Sequence, residues 1–224
     1  GTKSNDEEIR AASARAVGAY ANDKALEILG NLADDSSAAV RAGVAHGLSH
    51  FEKGQKFDLL VEYMKDDSPR VVAAAIGAME ARKEAAKWDQ IKALANSEHP
   101  EIREAALQAL ANLVSQDDET GVRNVISLLS GAVSDSSLDV RITVVRELGD
   151  FNKEKAVTSI AIQLNAEDKP LRLAAIRALG DTGHPSATEL VAELLSHADY
   201  DVRKAAIVAI GKLGGSMAKQ RLKA

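Results

Sequence analysis

The stretch DYDVRKAAIVAIGKLG, residues 199–214, contains the unit of an internal repeat, because copies of its central nine residues return along the whole chain. Each copy begins with an aliphatic anchor, usually followed by Arg, and closes on an apolar residue eight positions later. The anchors are Ile9, Val40, Val71, Ile102, Val140, Leu171 and Val202. Seven copies with matching chemistry indicate a repeat protein.

The spacing of the anchors gives the length of the repeating unit. The residue numbers of neighbouring anchors differ by 31, as for Ile9 and Val40, whereas those of Ile102 and Val140 differ by 38. One unit has therefore gained seven residues, and we expect this insertion near 114–121, where the sequence SQDDETG is polar. Since the repeat covers the whole chain, the sequence predicts a single repeat domain over residues 1–224.

The pattern inside each unit predicts a helical hairpin. Apolar residues recur four positions apart within each copy, which is typical of a buried helix face. Polar breaks with capping side chains, such as DSS at 35–37 and DDSP at 66–69, precede the copies and predict helix starts. Amphipathic segments at 25–29 and 57–61 predict the other helix of the hairpin. Small residues on the second helix allow such hairpins to stack into one core.

Composition excludes several classes of protein. The net charge of −5 is unfavourable for a protein that coats nucleic acid, since such affinity comes mostly from Lys and Arg. The absence of Cys rules out disulfides, thiolate zinc sites and Cys nucleophiles. No apolar run approaches the roughly 20 residues that span a bilayer. We therefore expect a cytoplasmic protein without a membrane span.

Two stretches resemble a known family. Residues 199–214 and the connection ALGDTGHP at 178–185 are similar to HEAT-like repeats of the phycobilisome-lyase type, and the resemblance extends over essentially the whole chain. It implies an all-α fold, a right-handed α-solenoid of about seven hairpins. The second helices would line a concave surface that is used chiefly for protein binding, although some relatives have enzymatic roles.

The resemblance also assigns a role to the repeated Arg, which pairs with acids in the turns and ties neighbouring repeats together. Nearby acids include Asp35, Asp135, Asp168 and Asp199. In the third unit Val72 replaces the Arg, so we expect an interruption there. We interpret this Arg ladder as structural rather than as a nucleic-acid patch. Its members are Arg10, Arg41, Arg103, Arg141, Arg172 and Arg203.

Two positions of each second helix, two and six residues after the anchor, are left free by the buried face and should line the concave surface. In the amino-terminal half these positions hold mostly small residues. In the carboxy-terminal half apolar residues sit among cations, at Ile142, Arg146, Leu173, Arg177, Lys204 and Val208. Apolar area flanked by Arg is typical of an interface, although isolated apolar side chains are also normal on a surface.

No residue pattern indicates catalysis or a cofactor. His46 and His50 are spaced to share one metal, but no Glu accompanies them in a metalloprotease motif, and neighbouring units offer no further ligand. The paired His-Glu motifs of HEAT-repeat hydroxylases are missing. His99, His184 and His197 are interpreted as turn residues. We therefore expect no metal, no cofactor and no catalytic residue.

The leading interpretation is a non-catalytic scaffold that binds a protein partner on the concave face. The alternative from the resemblance is a phycobilin-lyase-like enzyme, or a subunit of one, that holds a tetrapyrrole. A third possibility is a nucleic-acid-binding solenoid, which the negative charge and the 3% aromatic content make less favourable. No dedicated motif supports either alternative.

The ends of the chain show an incomplete pattern. The first residue is Gly1 rather than Met, and Ile9 begins a second helix that no first helix precedes. Residues 217–222 look like the start of a first helix without a partner. Because interior hairpins expose apolar surface at a free end, we expect a fragment that is open at both ends.

Overall fold

The computed structural model describes residues 1–215, which form thirteen α-helices and no strand within that range. The second helices are α1 (Glu7–Gly18), α3 (Ala38–Leu48), α5 (Pro69–Ala81), α7 (Pro100–Leu113), α9 (Leu138–Leu148), α11 (Lys169–Asp181) and α13 (Tyr200–Leu213). The first helices are α2 (Asp23–Asn31), α4 (Phe57–Tyr63), α6 (Trp88–Leu94), α8 (Glu119–Ala132), α10 (Glu154–Ala161) and α12 (Ala187–Ala192). Every anchor lies in a second helix, so the predicted alternation of helices is confirmed. The predicted helix at 217–222 lies outside the described residues.

The second helices begin at the predicted polar breaks. In α3, α5 and α9 the residue next to the helix makes no side-chain cap, whereas Asp6 caps α1 and Asp199 caps α13. The Asp35 carboxylate accepts the Ser37 N–H at 2.9 Å, two residues further on. Asp135 accepts the Ser137 N–H in the same way at 2.8 Å. These bonds hold the turn in the extended conformation from which the helix starts.

The chain divides into two compact units, Gly1–Leu113 (unit 1) and the residues from Val114 onward (unit 2). In unit 1 the helices α1, α3, α5 and α7 pack side by side, as do α9, α11 and α13 in unit 2. The anchors fill the interfaces between them, and Val40 and Leu171 are buried. Ile9 is an exception to the predicted buried face, since 49% of it is exposed. The helices that pack on α1, namely α2 and α3, leave this side of it uncovered.

Small residues set the distance between neighbouring second helices, as the sequence predicts. A Cβ added to Gly43 on α3 would lie 2.6 Å from the carbonyl oxygen of Ala11 on α1. In unit 2 a Cβ on Gly180 would lie 2.7 Å from the Cα of Ala209. Both distances are too short for any other side chain unless the helices separate.

The seven-residue insertion lies largely in a helix. The first helix α8 has 14 residues, whereas the other first helices have six to nine. The last three residues of the expected region, 119–121, already belong to α8. The polar sequence thus supplies both a short loop and the first turn of a longer helix, with Asp118 accepting the Gly121 N–H at 2.9 Å.

Candidate functional site

Four of the six predicted contact residues line one groove of about 270 Å³ between α11 and α13, which we call the unit 2 groove. It is lined by Leu173, Arg177, Asp201, Lys204, Ala205, Val208 and Lys212. Val208 is 51% exposed, and Leu173 is half-buried. The groove therefore offers apolar surface to a ligand.

The repeat register explains why these side chains meet. Leu173 and Arg177 lie one turn apart on α11, and Lys204 and Val208 occupy the same two positions on α13. Since α11 packs against α13, equivalent positions become neighbours. The apolar residue comes first on α11 and second on α13, so that the two apolar side chains lie on one diagonal and the two cations on the other.

The groove has unbalanced positive charge. Arg177 and Lys204 are exposed and form no ion pair within residues 1–215. The carboxylate of the one acid in the lining, Asp201, lies 2.6 Å from the Lys169 ammonium, which also pairs with Asp199. Lys212 pairs with Asp181 in turn. The lining thus carries three cations against one acid, and Arg177 and Lys204 have no ion pair within the described part of the chain.

The other two predicted contact residues lie one repeat earlier, on α9, and do not line the groove. Ile142 is half-buried, and Arg146 is exposed. The Arg146 guanidinium lies 3.3 Å from the Glu147 carboxylate and 3.4 Å from the Thr143 hydroxyl. They occupy the repeat positions of Leu173 and Arg177, so α9 extends the same chemistry by one helix.

Sequence reasoning missed three residues of the groove. Asp201 and Lys212 lie one turn before Lys204 and one turn after Val208 on the same helix face. Ala205 was interpreted only as a small packing residue. Extending the helical spacing one turn in each direction would have found the two charged residues.

The Arg ladder is fully formed at two positions of unit 1. Arg10 donates two hydrogen bonds to Asp35, at 2.8 and 2.9 Å, and Arg41 binds Asp66 in the same way at 2.7 and 2.9 Å. In both pairs the acid lies 25 residues after the Arg, which we call the ladder spacing. The hydrogen bonds from Arg10 and Arg41 lower the pKa of Asp35 and Asp66, respectively. Such bidentate, charge-assisted bonds join consecutive hairpins.

In the third repeat both members of the ladder pair, the Arg and the acid, are replaced. Val72 takes the place of the Arg and is buried, and Ser97 takes the place of the acid at the ladder spacing. The next member, Arg103, donates to the carbonyl oxygens of Ser97 and Glu98, at 2.9 and 3.1 Å. The third repeat thus lacks both the ladder cation and its acid, so neither charge is left without its partner.

In unit 2 the first ladder contact differs from those of unit 1. Arg141 makes one hydrogen bond to Asp168, at 2.9 Å, because Ala166 stands at the usual acid position. The side chain of Asp168 is 47% exposed. Asp199, which the sequence offered as a partner for the ladder, pairs instead with Lys169 at 2.9 Å.

The last two ladder residues have no acid partner among the described contacts. Arg172 donates to the carbonyl of Ala166 at 2.9 Å, and its buried Nε has no hydrogen-bond partner within residues 1–215. His197 stands at the ladder spacing from Arg172, where unit 1 has Asp. Arg203 donates to the His197 carbonyl at 2.7 Å and lies 5.8 Å from the centre of the Tyr200 ring.

A buried ion pair in unit 1 was not predicted. The side chains of Arg82 and Glu84 are 0% and 3% exposed, and they approach to 2.6 Å. Arg82 also donates to the carbonyls of Glu52 and Gln55, while Glu84 accepts the Gly54 N–H at 2.9 Å. Burial lowers the pKa of Arg82. The pair fastens the turn after α3 to the turn after α5.

The histidines do not form a metal site in the described part of the chain. No group of three His, Cys, Asp or Glu side chains within residues 1–215 is arranged to bind a metal ion. His184 and His197 lie in turns, where Nδ1 of each ring accepts a backbone N–H, from Ser186 at 3.3 Å and from Asp199 at 3.0 Å. Partial burial, together with Arg15 and Arg70, lowers the pKa of His46. Among the described helices, none is both long and apolar enough to cross a membrane.

Unit 1 contains a second depression of opposite charge. A cleft of about 680 Å³ lies between the turn that follows α2 and the helix α4. The acidic residues that line it are Asp34, Asp35, Asp58, Glu62, Asp66 and Asp67. Two of them, Asp35 and Asp66, are held by ladder arginines. The two units therefore expose surfaces of contrasting charge.

Solved structures show the same fold. The chain is similar to YibA of Escherichia coli, with 19% identity over 99% of this chain and 82% of that one, and a TM-score of 0.72. It is also similar to the complex of CpcE and CpcF of phycocyanin lyase from Nostoc, with 19% identity over 99% and 90% of the two chains and a TM-score of 0.58. At these identities the likeness shows the fold alone. No curated protein matches the sequence.

The sequence itself matches the pattern of HEAT repeats over residues 2–80, 89–162 and 158–224. These matches cover nearly all of the chain and agree with the alternation of first and second helices in the structure. The chain therefore belongs to the HEAT-repeat family, and its fold is an α-solenoid of helical hairpins.

Proposed function

We propose that this protein is a non-catalytic binding module that recognises a protein partner through the unit 2 groove and the adjoining face of α9. The observation that carries this proposal is the combination of exposed apolar surface at Leu173 and Val208 with the unpaired cations Arg177 and Lys204. Such a mixture is typical of interfaces, in which Arg is enriched and apolar side chains become buried on binding.

The fold supports this role in a second way. Each residue of the groove stands on a helix that packs against its neighbours, so the groove is preformed and loses little conformational entropy on binding. HEAT repeats present such helix faces in series, which allows several contacts to be made by one extended partner.

The proposal is tested by affinity capture from a cell lysate with the immobilised chain. The test variant carries Arg177→Glu and Lys204→Glu, and the matched control carries Arg123→Glu and Lys155→Glu, which reverse two exposed cations on α8 and α10. We expect at least one protein to be captured by the wild type and the control but not by the test variant. Capture of the same proteins by all three would contradict the proposal, provided that circular dichroism shows equal helix content.

A second candidate function is that of a chromophore-lyase subunit, which the fold likeness to the CpcE and CpcF complex favours. In that case the face of α9, α11 and α13 would hold a tetrapyrrole. Mixing the chain with a bilin would then change the visible absorption and induce circular dichroism in the visible range. The Arg177→Glu, Lys204→Glu variant would lose both signals if the groove holds the pigment.

A further inference from the structure

We infer that the segment recognised by the unit 2 groove is acidic and carries bulky apolar side chains. This inference rests on the proposed function, because it names the chemistry of the partner at the same surface. It follows from how apolar side chains and cations are ordered across three neighbouring helices.

The order of the side chains defines an apolar path flanked by cations. At the first of the two exposed positions, α9 and α11 present Ile142 and Leu173. At the second position they present Arg146 and Arg177, one helical turn away. On α13 the order is reversed, so that the apolar side chain of Val208 lies beside Arg177, and Lys204 lies beside Leu173. Cations thus stand on both sides of the apolar path where it crosses from α11 to α13.

The charge state of the surroundings selects an acidic partner. The groove lining holds three cations, Arg177, Lys204 and Lys212, and one acid, Asp201. Neither Asp201, which pairs with Lys169, nor Asp181, which pairs with Lys212, forms an ion pair with Arg177 or Lys204 within residues 1–215. A carboxylate of a partner would supply the missing counter-charge, whereas a cation there would be repelled. Charge complementarity of this kind contributes mainly to the rate of association and to discrimination against wrong partners.

The spacing of the helices sets the spacing of the partner's apolar residues. Packed helices lie about 8–10 Å apart, and a chain in the extended polyproline II conformation, with three residues per turn, advances about 9 Å per turn. A segment in this conformation that runs across α9, α11 and α13 would therefore place every third side chain over the apolar path, and the residues between them would face the flanking cations.

A second copy of this chain is a competing occupant, because the cleft in unit 1 is acidic. That cleft is a depression in which six of the twelve lining residues are acidic and Val61 is only partly exposed. A projecting segment of a different protein fits the unit 2 groove better. Sedimentation velocity over a hundredfold range of concentration tests this choice, and self-association lost in the Arg177→Glu, Lys204→Glu variant would overturn it.

The direct test uses a fluorescein-labelled nonapeptide in which every third residue is leucine and the others are glutamate. One comparison peptide has lysine in place of glutamate, and another has serine in place of leucine. Fluorescence anisotropy measures the binding of each peptide to the whole chain. We expect saturable binding of the Glu-Leu peptide and at least tenfold weaker binding of both comparison peptides.

Variants of the chain assign the binding to the groove. Arg177→Glu with Lys204→Glu should weaken the Glu-Leu peptide at least tenfold, and Arg177→Gln with Lys204→Gln should weaken it by a smaller factor. The control Arg123→Glu with Lys155→Glu should leave it within twofold of the wild type. Equal binding by the charge-reversed and wild-type chains, or preference for the Lys-Leu peptide, would overturn the inference.

The two proposals fail in different ways. If lysate proteins are lost with the charge-reversed variant but the Glu-Leu peptide does not bind, the groove is a protein-binding site and the acidic chemistry of the partner is wrong. If neither capture nor peptide binding depends on the groove, both proposals are wrong.

Discussion

Units 1 and 2 repeat the same hairpin but stabilise the contact between hairpins differently. In unit 1, Arg10 and Arg41 each hold an acid through two hydrogen bonds, and the acid side chains are 12% and 11% exposed. In unit 2, Arg141 makes one bond to an acid that is 47% exposed. The contribution of the repeated Arg to stability therefore depends on the residue that stands at the ladder spacing from it.

The largest change in the free energy of unfolding is expected at the buried ion pair of unit 1, Arg82 with Glu84, because unit 2 has no charge at the equivalent position of Arg82. Arg82 stands at the repeat position of Phe151, and Glu84 at that of Lys153. Glu84→Ala should lower the free energy of unfolding by about 3–5 kcal/mol, because it leaves the buried Arg82 without its counter-charge. Lys153→Ala in unit 2 should change it by less than about 0.5 kcal/mol, since this side chain is exposed. Urea denaturation of both variants measures the difference.

The double variant Arg82→Phe, Glu84→Lys sharpens this result, because it gives the third repeat the residues found at Phe151 and Lys153. It should recover most of the stability lost in Glu84→Ala, since a well-packed apolar residue can replace a buried ion pair. A double variant as unstable as Glu84→Ala would show that the turn requires the hydrogen bonds of Arg82 to the backbone.

The next largest change in the free energy of unfolding is expected when the acids of the Arg ladder are removed. Asp66→Ala should lower the free energy of unfolding by about 2 kcal/mol, because it removes two charge-assisted hydrogen bonds and leaves Arg41 half-buried and unpaired. Asp168→Ala removes one exposed bond and should cost about 0.5 kcal/mol. Equal urea midpoints for the two variants would contradict the distinction between the units.

The stability of the protein at low pH should depend on the ladder pairs of unit 1 more than on the pair of unit 2. Hydrogen bonds from Arg10 and Arg41 hold the folded pKa values of Asp35 and Asp66 below the ordinary carboxyl value of 3.8. The pairs therefore stabilise the folded state fully above that value, and this contribution is lost as the pH falls below it through the lowered folded pKa values. Between about pH 5 and about pH 3, the urea midpoint of Asp66→Asn should fall less steeply than that of the wild type. Asp168→Asn provides the control in unit 2.

A repair of the ladder in unit 2 should have a smaller effect. His197 stands at the ladder spacing from Arg172 and already accepts the Asp199 N–H, as Asp35 accepts that of Ser37. His197→Asp should preserve this bond and supply an acceptor for the Arg172 Nε, raising the free energy of unfolding by about 1 kcal/mol. An unchanged or lower thermal midpoint would show that a nearby acid, such as Asp199, offsets the new ion pair.

The smallest effect concerns the turn twelve residues after the anchor. Unit 1 has Ala21 there, at a φ of 46°, whereas unit 2 has Gly183, at 61°. Ala21→Gly should raise the free energy of unfolding by about 0.5 kcal/mol, because glycine adopts this conformation without strain. Gly183→Ala should have the opposite sign, and paired urea titrations distinguish the two.

The repeat made most of the helices predictable. The anchors, the alternation of helices and the exposed positions all follow from the sequence period, since a helix face recurs with a fixed spacing. The same arithmetic could have found the missing partner of Arg172, because His197 lies at the ladder spacing from it. The sequence predicted that Leu173, Arg177, Lys204 and Val208 would share a face, but the groove between α11 and α13 required the packing of two helices.

Features that depart from the repeat were not predictable. Arg82 occupies a position that is aromatic or aliphatic in every other repeat except the sixth, which has Thr182. Its partners are Glu84 and backbone carbonyls about 30 residues earlier in the chain. No local pattern indicates such contacts. The length of α8 was equally hidden, because the polar sequence before it is typical of both loops and first helical turns.

The hydrogen bond from Gly54 to Glu84 also allows hydrogen exchange at the Gly54 amide to report on the contact between the second and third repeats. Gly54 lies in an exposed turn, where a backbone N–H would normally exchange rapidly with deuterium in the solvent. Its hydrogen is instead bound by a buried carboxylate from the following repeat. Exchange at Gly54 therefore requires this hydrogen bond to break, and its rate reports how often the contact between the turns after α3 and α5 opens.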